Sequence, residues 1–196
     1  MDRYGGTLDG GGTMSIALVF TGHMIDSADR DAPRFPASLE GAARAAIGDE
    51  LDRLTPRAIA RGFASGACGG DILFHEECRR RGIPTTVVLP YQPDQFVETS
   101  VENADGGDWP RRFRALWAQT PAEARLVLGL PITDQAFAAC NARLLDLARE
   151  HGSVHLIALW DGEGGDGPGG TADMVRRVTA DGDQPHIIAP QDLVRS

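Results

Sequence analysis

Apolar positions along this chain follow two rhythms that alternate. Short, nearly continuous apolar runs stand at 15–20 (Ser-Ile-Ala-Leu-Val-Phe), 85–89 (Thr-Thr-Val-Val-Leu), 124–128 (Ala-Arg-Leu-Val-Leu) and 155–160 (His-Leu-Ile-Ala-Leu-Trp). Runs of this length predict strands buried on both faces. Two weaker runs, 57–62 and 186–189, complete a set of six. Between the runs, apolar residues recur every three or four positions. Leu39, Ala43, Ile47, Leu51 and Leu54 predict a helix that Ser38 can cap. Residues 71–81 form a second helix, ended by Gly82. Asp108 with Pro110 opens a third, with Phe113, Leu116 and Trp117 on one face. Thr133 can cap a long fourth, turning Phe137, Cys140, Leu144 and Leu147 inward and stopping at Gly152. Residues 171–180 form the last, and 91–102 reads as irregular or a short helical turn.

Strands alternating with helices of about ten residues or more predict a single three-layer Rossmann-like α/β domain, with a mainly parallel sheet and helices on both faces. At 196 residues, without an internal repeat or an interdomain linker, the chain suits one domain. The polar, glycine-rich residues 1–13 read as a flexible leader, residues 14–196 as the domain, with Met14 an alternative start.

The candidate chemistry lies in the turns. In such a sheet, ligands bind beyond the carboxyl ends of the strands, where strand order reverses. Three loops are expected there: 21–24, 66–71 and 161–171. The last belongs to a stretch, 161–174, holding six glycines and one proline. Glycine lets a ligand approach the backbone, and a helix opening at Gly169-Gly170-Thr171 would turn its unpaired N–H groups towards a phosphate. The ligand-binding candidates are therefore Gly22, His23, Gly66, Gly69, Gly70, Asp71, Gly169, Gly170 and Thr171. Arg30 and Arg34, in the polar loop after the first turn, can grip phosphate bidentately. Asp71 can instead cap its helix, and both roles stay open. Asp161 and Asp173 are the catalytic candidates, Asp173 also suiting the dipole of its helix. Trp160 reads as core rather than a base-stacking platform, Trp109, Phe113 and Trp117 as core or interface, and the histidines other than His23 as structural.

Other chemistries lack their signatures. G-x-G-x-x-G is absent after the first strand and G-x-x-x-x-G-K-[ST] is absent throughout, against nicotinamide dehydrogenases and P-loop proteins. Cys68, Cys78 and Cys140 show no zinc or disulfide spacing, so reduced thiols are expected, with no metal and no cofactor. No apolar run nears the ~20 residues of a membrane span, and no signal segment opens the chain; a cytoplasmic protein without membrane partners is expected. A net charge of −9 argues against duplex nucleic acid, though not against one small nucleotide. The exposed helix at 108–119 leaves a homo-oligomer open.

Five stretches carry a family resemblance: Thr21-Gly-His-Met-Ile-Asp26 with Arg34-Phe-Pro36; Ala64-Ser-Gly-Ala-Cys-Gly-Gly-Asp-Ile-Leu73; Leu89-Pro-Tyr91 with Phe96 and Ser100; Trp109 with Arg112-Phe113; and Trp160-Asp-Gly162 with Gly167-Pro-Gly-Gly-Thr-Ala-Asp173. Together they resemble the SLOG superfamily, the Rossmann-like group that includes Lonely-guy phosphoribohydrolases, lysine-decarboxylase-like proteins and DNA-processing protein A. Sensor-type bacterial SLOG domains are the most similar. The resemblance implies binding of a nucleotide or nucleotide-derived small molecule across these loops, as a sensor module. The phosphoribohydrolases carry P-G-G-x-G-T-x-x-E; here Pro168-Gly-Gly-Thr171 lacks the inserted pair, and the glutamate's place falls on Met174 or Arg176. Asp173 is the nearby carboxylate that could replace it. Two alternatives follow: an N-glycosidase acting on nucleoside 5′-monophosphates through Asp173 or Asp161, and an interaction domain with a vestigial pocket.

Overall fold

Strand β1 (Ile16–Gly22) is buried along nearly its whole length because both its edges and both its faces are covered. β2 (Ile59–Ala64) pairs with one edge and β5 (Ser153–Leu159) with the other, both parallel, so that Leu18 lies between Gly62 and His155. Successive residues face opposite layers. Ile16, Leu18 and Phe20 join one core, Ala17 and Val19 the other.

The structure, a computed structural model, describes residues 15–55, 57–104, 106–164 and 167–194. The expected leader at 1–13 and the alternative start at Met14 lie outside the described residues. β3 (Thr85–Leu89), β4 (Arg125–Val127) and β6 (His186–Ile188) complete a sheet of order β4-β3-β2-β1-β5-β6, every pairing parallel. Helices α1 (Glu40–Leu54), α2 (Gly70–Arg80), α3 (Pro93–Ser100) and α4 (Trp109–Gln119) contribute to the core on one face. Helices α5 (Asp134–Arg149) and α6 (Thr171–Ala180) line the other, giving a three-layer Rossmann-like α/β domain.

From β1 at the sheet's centre the chain runs outward to β4, and returns through α5 to lay β5 on the opposite side of β1. Strand order therefore reverses between β1 and β5, which opens a crevice beyond their carboxyl ends. Phe20 in β1 stacks on Phe74 in α2 with ring centroids 5.1 Å apart, docking the start of α2 beside that crevice. Burying side chains of this size stabilises by ~1.5–3 kcal/mol each.

Local expectations fail where context overrides them. α1 is preceded by a 3-10 turn, Ala37–Leu39, and its N-cap is Leu39, without a side-chain cap bond; Ser38 does not take that role. β2 begins two residues later than its apolar run suggests, because its buried half is Gly62, Phe63 and Ala64. Gly62 is admitted there by size: a Cβ would come within 2.9 Å of the Phe74 ring. Residues 93–100 form a full helix, α3, with Pro93 in its first turn. A short helix not predicted, α7 (Pro190–Leu193), follows β6. Among the described residues no helix is long and apolar enough to cross a membrane.

Candidate functional site

A cavity of about 300 Å³ opens at the β1/β5 crevice. The turn after β1 supplies Thr21, Gly22, His23 and Met24, and the loop into α2 supplies Ser65, Ala67 and Asp71. Phe96, Thr99 and Ser100 of α3 form one wall. Asp134, Phe137 and Asn141 of α5 form another, and Gly167 to Thr171 lead from the cavity into α6. The volume stands at the low end of small-molecule sites.

The loop into α6 is held by its own backbone. Asn141 donates its side-chain amide to the Gly169 carbonyl at 2.7 Å. Gly169 has φ +86°, and a Cβ there would lie 2.3 Å from the Ala138 nitrogen, so only glycine fits against α5. Gly170 is the N-cap and Thr171 the first residue of α6, whose unpaired N–H groups and positive dipole end open on the cavity.

The glycines of the second loop do a different job. Gly69, with φ +91°, presses on the first turn, where a Cβ would lie 2.7 Å from the Ile25 nitrogen. A Cβ on Gly70 would meet Phe20, and one on Gly66 would meet Phe113. The structure thus places Gly66, Gly69 and Gly70 behind the cavity lining, as packing positions that bring Ser65, Ala67 and Asp71 forward.

Asp71 is one residue inside α2 and does not cap it; the N-cap is Gly69. Its Oδ2 accepts the Ala67 N–H at 3.2 Å, and only 7% of the residue is exposed. Burial pushes this carboxyl up to about 7, only partly opposed by the Ala67 hydrogen bond. Nearby, His75 is fully enclosed. Its Nε2 donates to the Ser65 carbonyl at 2.8 Å, which leaves Nδ1 to accept from the Thr85 hydroxyl at 3.0 Å. Burial lowers its pKa to about 4 despite its hydrogen bonding to backbone carbonyls, keeping it neutral.

Across the mouth, Arg34 meets Asp161. Nε donates to Asp161 Oδ2 at 2.8 Å, and Nη2 to the Gly164 carbonyl at 3.3 Å. Asp161 Oδ1 accepts the Glu163 N–H at 3.0 Å and lies 3.1 Å from His23 Nε2. Burial alone would raise the Asp161 carboxyl; the Arg34 and Glu163 hydrogen bonds and the Arg34 charge outweigh it and hold the group well below the usual carboxylate range. Burial also lowers the pKa of His23, against the pull of Asp161, so the imidazole is mainly neutral at pH 7.

Of the remaining candidates, Gly22, His23, Arg34, Gly169, Gly170 and Thr171 line the cavity. Arg30 does not; its Nε donates to the Ala32 carbonyl at 3.0 Å and lies 3.4 Å from Asp26 Oδ1. Asp173 does not line it either, and is bound by Arg176 at 2.9 Å and Arg177 at 2.8 Å. Trp160, half-buried, reaches the lining and donates Nε1 to the Glu163 carbonyl at 2.7 Å. Phe96, Thr99, Ser65, Asp134, Phe137 and Asn141 were not among the sequence candidates. Asn141 had a legible signal, a lone amide on the buried stripe of Cys140, Leu144, Leu145 and Ala148. Of the α3 residues, Phe96 and Ser100 were marked only by the family resemblance and Thr99 by nothing, since only the tertiary fold brings that helix over the crevice.

Cys68, Cys78 and Cys140 are free and buried. Among the described residues no group of three or more His, Cys, Asp and Glu side chains could hold a metal ion.

No family model matches the chain, and no curated protein matches its sequence. Distant likenesses exist among solved structures. The molybdenum cofactor carrier protein of Chlamydomonas reinhardtii matches in two structures. One has TM-score 0.34 and 14% identity over 92% of this chain and 94% of that one. The other has TM-score 0.36 and 14% identity over 93% and 99%. DNA processing protein A of Streptococcus pneumoniae matches with TM-score 0.38 and 13% identity, over 93% of this chain and 61% of that one. Likeness this remote carries no activity across.

Proposed function

We propose that the crevice binds a nucleotide or a nucleotide-derived small molecule and holds it intact, as a sensor module of the SLOG type does. The observation that carries the reading is the opening of α6 at Gly169-Gly170-Thr171 directly on the cavity at the β1/β5 reversal. A phosphate there meets backbone N–H groups and the positive end of the helix dipole. Phe96, Phe137 and Trp160 offer apolar walls for the rest of the ligand. Four of the five SLOG-like stretches, all but Trp109 with Arg112-Phe113, contribute lining residues. Gly22, His23 and Arg34 complete the proposed contacts.

The two catalytic candidates favour holding over turnover. Asp161 is committed to Arg34 and ionised far below neutral pH, and Asp173 is engaged by Arg176 and Arg177. A general acid or base works best with a pKa near the operating pH. An N-glycosidase working through Asp161 loses support on that ground.

The test is incubation with nucleoside mono-, di- and triphosphates, cyclic nucleotides and ADP-ribose derivatives, reading thermal stability and product chromatography together. A ligand at 100 times its Kd stabilises by about 2.7 kcal/mol. A clear shift with the ligand recovered intact is expected. Release of free base would overturn the sensor reading, and no shift with any compound would sink binding altogether.

A further inference from the structure

Helix α3 is a wall shared by two hollows. Phe96, Thr99 and Ser100 face the cavity at the β1/β5 crevice, whereas Asp94, Val97 and Glu98 line a separate groove of about 350 Å³ between α3 and α4. The floor of the groove is apolar. Phe113 of α4 packs on Phe96 with ring centroids 5.7 Å apart, and Trp117, one turn further on, stacks on Phe113 at 6.2 Å. Val97 and Phe113 are buried there, and Trp117 keeps part of its surface exposed. An aromatic-floored hollow of this kind suits one anchoring apolar side chain from a partner.

The rim is acidic, and its acids lack partners. Asp94, Glu98 and Glu102 stand exposed on the lining, and none makes an ion pair among the described residues. Elsewhere the helix carboxylates of this chain are closely paired. Glu76 of α2 meets Arg44 at 2.6 Å and Arg112 at 2.8 Å, Glu50 of α1 meets Arg53 at 2.6 Å, and Asp173 of α6 meets Arg177 at 2.8 Å. α3 carries no arginine, and Asp94 and Glu98, at i and i+4, repel each other and weaken it. Arg114 is the one cation of the groove lining, and it pairs with none of the three among the described residues. Charge decides the occupant. A second copy docked groove to groove would bring acids against acids, in a chain of net charge −9 without a lysine. Nucleic acid and anionic lipid are repelled by the same row.

We infer that the groove between α3 and α4 docks a basic amphipathic helix of a partner protein. An apolar residue of that helix enters between Val97, Phe113 and Trp117, and its lysines or arginines stay at the rim against Asp94, Glu98 and Glu102. Such a helix satisfies both halves of the groove, its apolar face the floor and its polar face the acids. The docked helix lies on the other side of α3 from the crevice, so the assignment does not depend on which molecule the crevice holds.

Fluorescence anisotropy with the full chain tests it, with circular dichroism checking that each variant is folded. The probe is a labelled peptide of about 14 residues, with leucine at i, i+3, i+4 and i+7 and lysine elsewhere. Its comparators carry glutamate for every lysine or serine for every leucine, and spermidine is the small polycation. The proteins are wild type, Glu98→Lys, Trp117→Ala and Asp183→Lys, the last at an exposed acid after α6. Wild type and Asp183→Lys should bind the leucine–lysine peptide alike and saturably. Glu98→Lys and Trp117→Ala should each weaken it by ~10-fold. Glu98 is exposed, so its variant carries the test if Trp117→Ala does not fold. Raising salt from about 50 to about 200 mM should weaken wild-type binding several-fold, and weaken Glu98→Lys less. No saturable binding of the leucine–lysine peptide overturns the docking site, as does equal binding of the serine peptide or of spermidine. A loss in Asp183→Lys as large as that in Glu98→Lys overturns it too, by reducing the effect to overall charge. Sedimentation showing a wild-type dimer that Trp117→Ala breaks would make a second copy the occupant and overturn the basic partner.

Discussion

Arg34 and Asp161, 127 residues apart in sequence, meet at 2.8 Å across the mouth of the cavity. The pair fastens the loop after β1 to the loop after β5, the two strands between which the sheet reverses. Asp26 steadies the first of these loops by accepting the Arg34 and Phe35 backbone N–H groups, each at 2.9 Å. The pair is therefore an electrostatic clasp across the mouth.

Breaking the clasp should show in acid unfolding. Asp161 is held well below its unfolded value, so its contribution is complete above about pH 5 and drains as pH falls towards the folded pKa. Asp161→Asn should lose about 2 kcal/mol at pH 7, because both side chains are largely buried. Urea unfolding as a function of pH checks this. The gap between wild type and variant should stay level from about pH 8 to 5 and narrow below about pH 4. A gap that widens in acid would mean Asp161 is not stabilised as an anion.

Gly169 and Gly164 should respond very unequally to the same change. Gly169→Ala puts a Cβ 2.3 Å from the Ala138 nitrogen at φ +86°, whereas a Cβ on Gly164 would meet no atom of the described residues within 4 Å. Gly169→Ala should cost roughly 2–4 kcal/mol and abolish any ligand-induced thermal shift. Gly164→Ala should stay within about 0.5 kcal/mol of wild type. Equal behaviour of the two would show that the loop into α6 is not seated on α5.

Asp71 should make the fold less stable as the solution becomes more alkaline. Its folded pKa of about 7 lies above the unfolded value, so the unfolded chain releases its proton first and stability falls as pH rises from about 4 to about 7. The full effect of a shift this size is at most about 4 kcal/mol, and cavity water lowers it. Asp71→Asn removes the effect. Differential scanning calorimetry should find the variant melting above wild type at pH 8, with the difference shrinking towards pH 5. A variant that melts lower at pH 8 would mean Asp71 stabilises the fold rather than serving the site.

Much of the architecture was legible because burial on two faces leaves a plain trace. β1, β3 and β5 are continuous apolar runs, and α6 begins and ends where its glycines and apolar spacing predict. β2 was blurred because its buried half relies on Gly62, under the Phe74 ring, and on Ala64, small residues that give a weak apolar signal. At the site, the turns carrying His23 and Gly169 could be read from position alone. The standing of Asp161 and Asp173 could not, since a carboxylate's partners come from distant loops or from arginines that suit other roles equally well.

The order of strands and helices, the parallel sheet and the glycine loops beyond its carboxyl ends follow from the local pattern of this chain, because periodicity and turn chemistry are properties of neighbouring residues. Which of the candidate acids faces the cavity was decided by the tertiary structure. Asp161, Asp173 and Asp71 all follow or open loops of similar composition, yet packing gives the first an arginine across the mouth and the second two arginines on its own helix. It leaves the third buried on the cavity lining, accepting the Ala67 N–H. Desolvation and charge pairing depend on what is near in space, and that is settled only when the sheet reverses between β1 and β5.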